Sequence, residues 1–133
     1  MRKSFVGMLL VASVCLTGCV TSKWGDVQSL GAAPLSAQQI RERFAGNTLA
    51  VTGPEGRTEN VYVTSSMQFV PVGAGRERAF SFDMIGNGLM CMTPGERRFC
   101  YRVYEKDGRF LVVSSNGEVF QRGQITQGNQ FGV

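Results

Sequence analysis

The 133-residue chain contains no histidine. That removes the Ser/His/Asp triad, the Cys/His dyad and every histidine-ligated metal site from consideration. Aromatic residues are few, at 10%, while glycines number 17, a balance that implies many turns and suits a small antiparallel sheet better than a helical bundle. No apolar run approaches the ~20 residues that a membrane-spanning helix needs. The length allows one domain with a modest core and leaves no room for a second.

What the chain does have is a marked front end. Arg2 and Lys3 precede an apolar run from Phe5 to Leu16, interrupted by Gly7 and Ser13, and then Leu16-Thr17-Gly18-Cys19. A short basic start followed by about a dozen apolar residues has the anatomy of a signal peptide. Its end carries a small residue directly before a cysteine, and in this it resembles the lipobox of bacterial lipoproteins. The resemblance implies that residues 1–18 are removed, that Cys19 is lipidated through its thiol, and that the new amino terminus is acylated as well. Two or three acyl chains, at ~0.8 kcal/mol per buried methylene, anchor a protein durably where one chain does not. Val20 stands where an aspartate would favour inner-membrane retention, so the resemblance points to the outer membrane, facing the periplasm.

Loss of Arg2 and Lys3 lowers the basic count from 14 to 12 against 10 acidic side chains, a net charge of about +2 with both signs interspersed. Arg41 and Arg43 flank Glu42, and Arg76 and Arg78 flank Glu77. This is the pattern of a solvated mixed surface, and nucleic acid is not an expected partner. Of the 4 cysteines, Cys15 leaves with the leader and Cys19 is taken by lipid. Cys91 and Cys100 remain, and in an exported chain they are expected to form a disulfide with a structural role.

Residues 19–35 read as a lipidated N-terminus and flexible tether, polar and small with Gly and Pro but no clear periodicity. Trp24 is suited to the lipid interface, or else to packing onto the domain as an ordinary anchor, the former being favoured. Residues 36–133 form the single β-rich domain. Ser36-Ala-Gln-Gln39 is a capping-box pattern that opens a helix to about Phe44, with Gly46 and Asn47 as its stop. Ala37, Ile40 and Phe44 share one face of that helix. Thr48–Thr52 is a strand, residues 53–56 a turn, and Val61, Val63, Met67 and Phe69 alternate as one further strand.

Between residues 79 and 122 turn chemistry and alternation test each other. Setting Cys91 opposite Cys100 pairs Met92 with Phe99 and Met90 with Tyr101, which puts four apolar side chains on the face away from the bridge. A three-residue loop at Gly86-Asn87-Gly88 adds Met84 opposite Met90 and Phe82 opposite Met92 to the same layer, whereas a two-residue turn would not. Asp107-Gly108 sets Val103 against Val112, and Asn116-Gly117 sets Val113 against Phe120. The last pair, with Leu111 and Tyr104, falls on the opposite face. Either the sheet curls toward a barrel or the helix covers that second face. The expected fold is therefore α+β, mostly β: one short N-terminal helix packed on a small antiparallel up-and-down sheet or partly closed barrel.

Candidate chemistry is sparse. Gly73-Ala-Gly75-Arg-Glu-Arg78 has the front of a G-x-G-x-x-G, but Arg78 replaces the third glycine, so it reads as a loop. Glu55, Glu59, Asp83 and Glu118 are isolated acids on a solvated surface. Ser65-Ser66 and Ser114-Ser115 have no histidine base and no S-x-x-K lysine. Met67, Met84, Met90 and Met92 fall on the inward face, as core rather than as a soft-metal site. No catalytic residue, metal ligand or cofactor is expected. A helix ending Phe-Ala-Gly-Asn-Thr (44–48), a cysteine pair across a hairpin, Asp-Gly-Arg and a late Gly-Asn together resemble small proteobacterial exported lipoproteins. That resemblance brings no activity with it. The layout of anchor, one disulfide and small sheet is similar to membrane-bound lysozyme inhibitors, without an inhibitory motif. The expectation is a lipid-anchored cell-envelope lipoprotein acting as a non-enzymatic binding or structural module for an envelope protein or wall component. The alternative is an anchored inhibitor of a lytic enzyme or protease.

Overall fold

The capping box is formed: Ser36 Oγ accepts from the Gln39 amide at 3.2 Å and Gln39 Oε1 accepts from the Ser36 amide at 2.9 Å. It opens the helix α1, Ala37–Phe44, in a computed structural model that describes Val27 and residues 31–133. The leader, Cys19, Val20 and Trp24 lie outside the described residues. Ile40 and Phe44, four apart on one face, are buried, which is the amphipathic pattern fulfilled. Before α1 comes β1, Ala33–Pro34; after it come β2 (Thr48–Thr52), β3 (Thr58–Val63), β4 (Phe69–Pro71), β5 (Asp83–Ile85), β6 (Leu89–Met92), β7 (Phe99–Lys106), β8 (Arg109–Ser114) and β9 (Val119–Thr126).

All pairings are antiparallel, and the sheet runs β4-β3-β2-β9-β8-β7-β6-β5, with β1 on β7. It curls into a half-barrel. The segment leading into β5 meets β4 where Phe69 and Phe80 exchange backbone hydrogen bonds of 2.8 and 3.0 Å. The mostly β content, the single α-helix among the described residues and the curled antiparallel sheet agree with the expected fold class. So do the registers around the cysteines: Cys91 lies opposite Cys100, Met90 opposite Tyr101, Met92 opposite Phe99 and Met84 opposite Met90. The β5 pairing ends at Asp83↔Cys91, one residue short of the expected Phe82–Met92 pair. Asp107 and Gly108, with φ of 52° and 75°, make the tight turn that sets Val103 against Val112.

Three expectations are corrected. The alternating stretch from Val61 to Phe69 is two strands, β3 and β4, joined by a turn at 64–68. Thr64 Oγ1 accepts from the Gln68 amide at 3.0 Å, and Met67 takes a left-handed φ of 65°. A hydroxyl able to bond backbone locally here outcompetes continued extension. Second, Val113 pairs with Val119, and Phe120 is the extra residue of a β-bulge before the Val112↔Gln121 pair. The turn spans Ser115–Gly117 rather than two residues, closed by Ser114 N–H to Glu118 O at 3.0 Å. The bulge then restores the register that a two-residue turn would have set. Third, the described part of the expected tether is docked: Val27 and Leu35 are buried and Ala33–Pro34 pairs with β7.

The half-barrel resolves the question of its two apolar faces. Its concave side holds the main core, in which Ile40 and Phe44 of α1 meet Leu49, Val61, Val63, Phe69, Met90, Val103 and Phe110. Its convex side over β7–β9 carries Leu111, Val113 and Val119, covered by Val27 with Ala32 and Tyr104 beside them. The helix packs on the inner face, and Val27 and Ala32 pack on the outer one.

Cys91 and Cys100 are joined by a disulfide across the β6–β7 pair, nine residues apart. Closing a loop of this size contributes roughly 2.5 kcal/mol in the chain-entropy model. Reduction, or the Cys91→Ala/Cys100→Ala double variant, is expected to lower the unfolding free energy by about that much, read as a lower urea midpoint with an intact circular dichroism spectrum. An unchanged midpoint would show that the bridge only decorates a hairpin already held by its ladder.

Candidate functional site: the cavity of the curled sheet

Alternation along each strand sends every second side chain to the concave side, and because the sheet curls those side chains face one another across a gap. The gap is a cavity of about 410 Å³, within the ~300–1,000 Å³ of small-molecule sites. Its floor is the helix end, where the Phe44 ring lies 5.1 Å from Phe110 and 6.4 Å from Phe69. One wall is aromatic: Phe69 stacks on Phe80 at 5.4 Å and meets Phe82 edge-on at 5.1 Å. Met90, Met92, Tyr101, Val103, Val112, Leu49 and Val51 complete the sides. Gly123 on β9 faces inward opposite Phe110 and Val51. A Cβ there would stand 2.0 Å from the Phe110 ring, so the missing side chain is what lets that ring lie across the strand.

The opposite end is open. Turn 53–57 and the first residues of β3 bring Glu55, Arg57 and Glu59 to the lining, and Gln121 joins them from β9. Phe120, turned by its bulge, stacks on Tyr101 at 5.5 Å and remains 42% exposed, while Phe99 on the same end is 37% exposed. Charge is thus confined to the mouth. Among the described residues, none of those lining the cavity is Ser, Thr, Cys or Lys. Among the described residues every buried side-chain N or O has a hydrogen-bond partner, so no orphaned polar atom waits inside for a ligand. The arrangement favours holding an apolar group by contact while the rim meets water or a polar head.

The residues singled out from the sequence fall in different places. Met90 is buried in the core and Met67 and Met84 pack against it, with Met92 on the cavity wall. Gly73–Arg78 is a loop ending in a 3₁₀ turn at Arg76–Arg78. Ser65, Ser66 and Asp83 border a second hollow of about 360 Å³ with Arg41 and Ser81. Glu118 is exposed in the β8–β9 turn, and no three acids or cysteines among the described residues gather at metal-binding distance. Glu55 and Glu59, read as isolated surface acids, instead share the cavity mouth with Arg57. The available signal was alternation: Glu59 has the parity of Val61 and Val63, an acid at the end of an apolar face.

Among the described residues no helix is long and apolar enough to cross a membrane. Comparison with protein-family models, with curated protein sequences and with solved structures finds no match to this chain.

Proposed function

We propose that the chain is a lipid-anchored cell-envelope lipoprotein whose folded part is a non-enzymatic binding module, taking the apolar portion of a ligand into the half-barrel. The observation that carries the reading is the cavity itself: about 410 Å³, walled by aromatic, methionine and aliphatic side chains, and charged only at its mouth. Sites of this size and lining bind by desolvating an apolar group, and a few polar groups at the edge orient it. The leader that resembles a lipobox supports the envelope address, with Cys19 as the attachment point.

The test uses residues 20–133, which include every described residue, titrated with the neutral fluorophore N-phenyl-1-naphthylamine. Saturable one-to-one binding is expected. Val51 lines the cavity beside the mouth, so Val51→Trp fills space the probe needs and should weaken binding about tenfold, ~1.4 kcal/mol. Binding that never saturates, or that ignores Val51→Trp, would remove the support for this reading.

A further inference from the structure

Val27 fixes where the preceding chain leaves the fold. Its amide donates to Gly117 O at 3.3 Å, and Gly117 lies in the β8–β9 turn. Strand directions put that turn at the same end as turns 53–57 and 93–98, the open end of the half-barrel. The closed end holds α1, with Gly88 of the β5–β6 turn packed against the backbone of Leu35 and Ala37. Val27 packs on the convex face with Leu111, Val113 and Val119, and Ala32, next to β1, packs there too. Whatever precedes Val27 is therefore tied to the mouth side. Eight residue steps separate Cys19 from Val27, a reach of at most ~28 Å, about the length of one eight-residue strand at ~3.3 Å per residue.

Two further features meet at that end. Phe99 and Phe120 are exposed there, and exposed aromatic rings favour a membrane interface. The cavity, apolar inside and charged at the rim by Glu55, Arg57 and Glu59, has the polarity of an amphiphile inserted tail first. We infer that the open end faces the membrane to which Cys19 is attached, and that the cavity takes the acyl chain of a single-chain membrane amphiphile whose head stays at the rim. This rests on the proposed reading of Cys19 as the anchor and of the cavity as the ligand site.

The test uses the full lipoprotein in phosphatidylcholine vesicles whose acyl chains carry bromine as a quencher. In a Trp24→Phe background, a single tryptophan is placed at the open end (Phe120→Trp) or beside the closed end (Ile85→Trp), both exposed positions. Quenching is expected to be several-fold stronger for Phe120→Trp. In a second arm, vesicles of unlabelled phosphatidylcholine are doped with brominated lysophosphatidylcholine. Native mass spectrometry should find one bromine-bearing adduct per chain, reduced about tenfold by Val51→Trp. Equal quenching at the two ends overturns the orientation. Stronger quenching at Phe120→Trp without an adduct, or a cavity filled by the acyl chain on Cys19, overturns the ligand. A Cys19 free of lipid overturns the anchor on which the orientation depends, and leaves binding of the naphthylamine probe in solution as a separate result.

Discussion

Phe44→Ala is expected to lose about 3–5 kcal/mol of stability, the range for truncating a buried aromatic ring. Phe44 is 2% exposed and ends α1. Its ring touches Phe69 near one end of the sheet and Phe110 near the middle. Removing it detaches α1 from both at once, and the void merges with the existing cavity rather than collapsing, because Phe69 and Phe110 are held by their own strands. Against a total of ~5–15 kcal/mol for a domain, the loss is a large fraction, and at ~4–8 °C per kcal/mol the melting temperature should fall by well over 10 °C. Ile40→Val, beside it on the same face, should cost only about 0.5–1.5 kcal/mol. Thermal unfolding of the two variants checks the comparison. A Phe44→Ala protein melting within a few degrees of the parent would mean that the helix does not hold the half-barrel closed.

Much of this arrangement is legible in the chain, and what decides legibility is whether the controlling interaction is local. The capping box at Ser36 and Gln39, the Asp107-Gly108 turn and the register between Cys91 and Cys100 each depend on residues close in sequence, and each is found. The turn at 64–68 has no glycine or proline to announce it, and the left-handed residue is Met67, which alternation counts as one more apolar position. The bulge at Phe120 comes from a one-residue excess in the Ser115–Gly117 turn, and the Asn-Gly signal alone does not distinguish two residues from three.

The cavity is the least legible part, and the reason is geometric. Alternation says which side chains share a face but not how far the two sides of a curled sheet stand apart. That spacing depends on contacts distant in sequence: α1 on the inner face, the Phe69–Phe80 bridge across the irregular stretch 72–79, and Gly123 beneath Phe110. The same closure turns Glu55, Arg57 and Glu59 from scattered charges into one rim. Alternation assigns most of the apolar groups to one face; only the fold makes an inside for them to surround.

Gly123 offers the sharpest check of that closure, because two effects of opposite sign compete there. In a strand interior, glycine costs about 0.5–1 kcal/mol relative to alanine through its backbone entropy, so Gly123→Ala would stabilise an ordinary strand. Here the new methyl would lie 2.0, 2.4 and 2.6 Å from three Phe110 ring carbons. The ring is 3% exposed and set against Phe44, so moving it aside gives up that contact and intrudes on the cavity it lines. Overpacking of this kind costs typically about 1–3 kcal/mol and occasionally more. With backbone and a confined ring both involved, the net loss is expected at about 3 kcal/mol. Phe110→Leu removes the ring carbons that clash, and in that background Gly123→Ala should become neutral or stabilising, a coupling of about 3 kcal/mol at the upper end of the range for touching residues. The double-mutant cycle, measured by urea denaturation, decides between the two terms. If Gly123→Ala stabilises the parent protein, Phe110 does not lie across β9, and the floor of the cavity must be drawn differently.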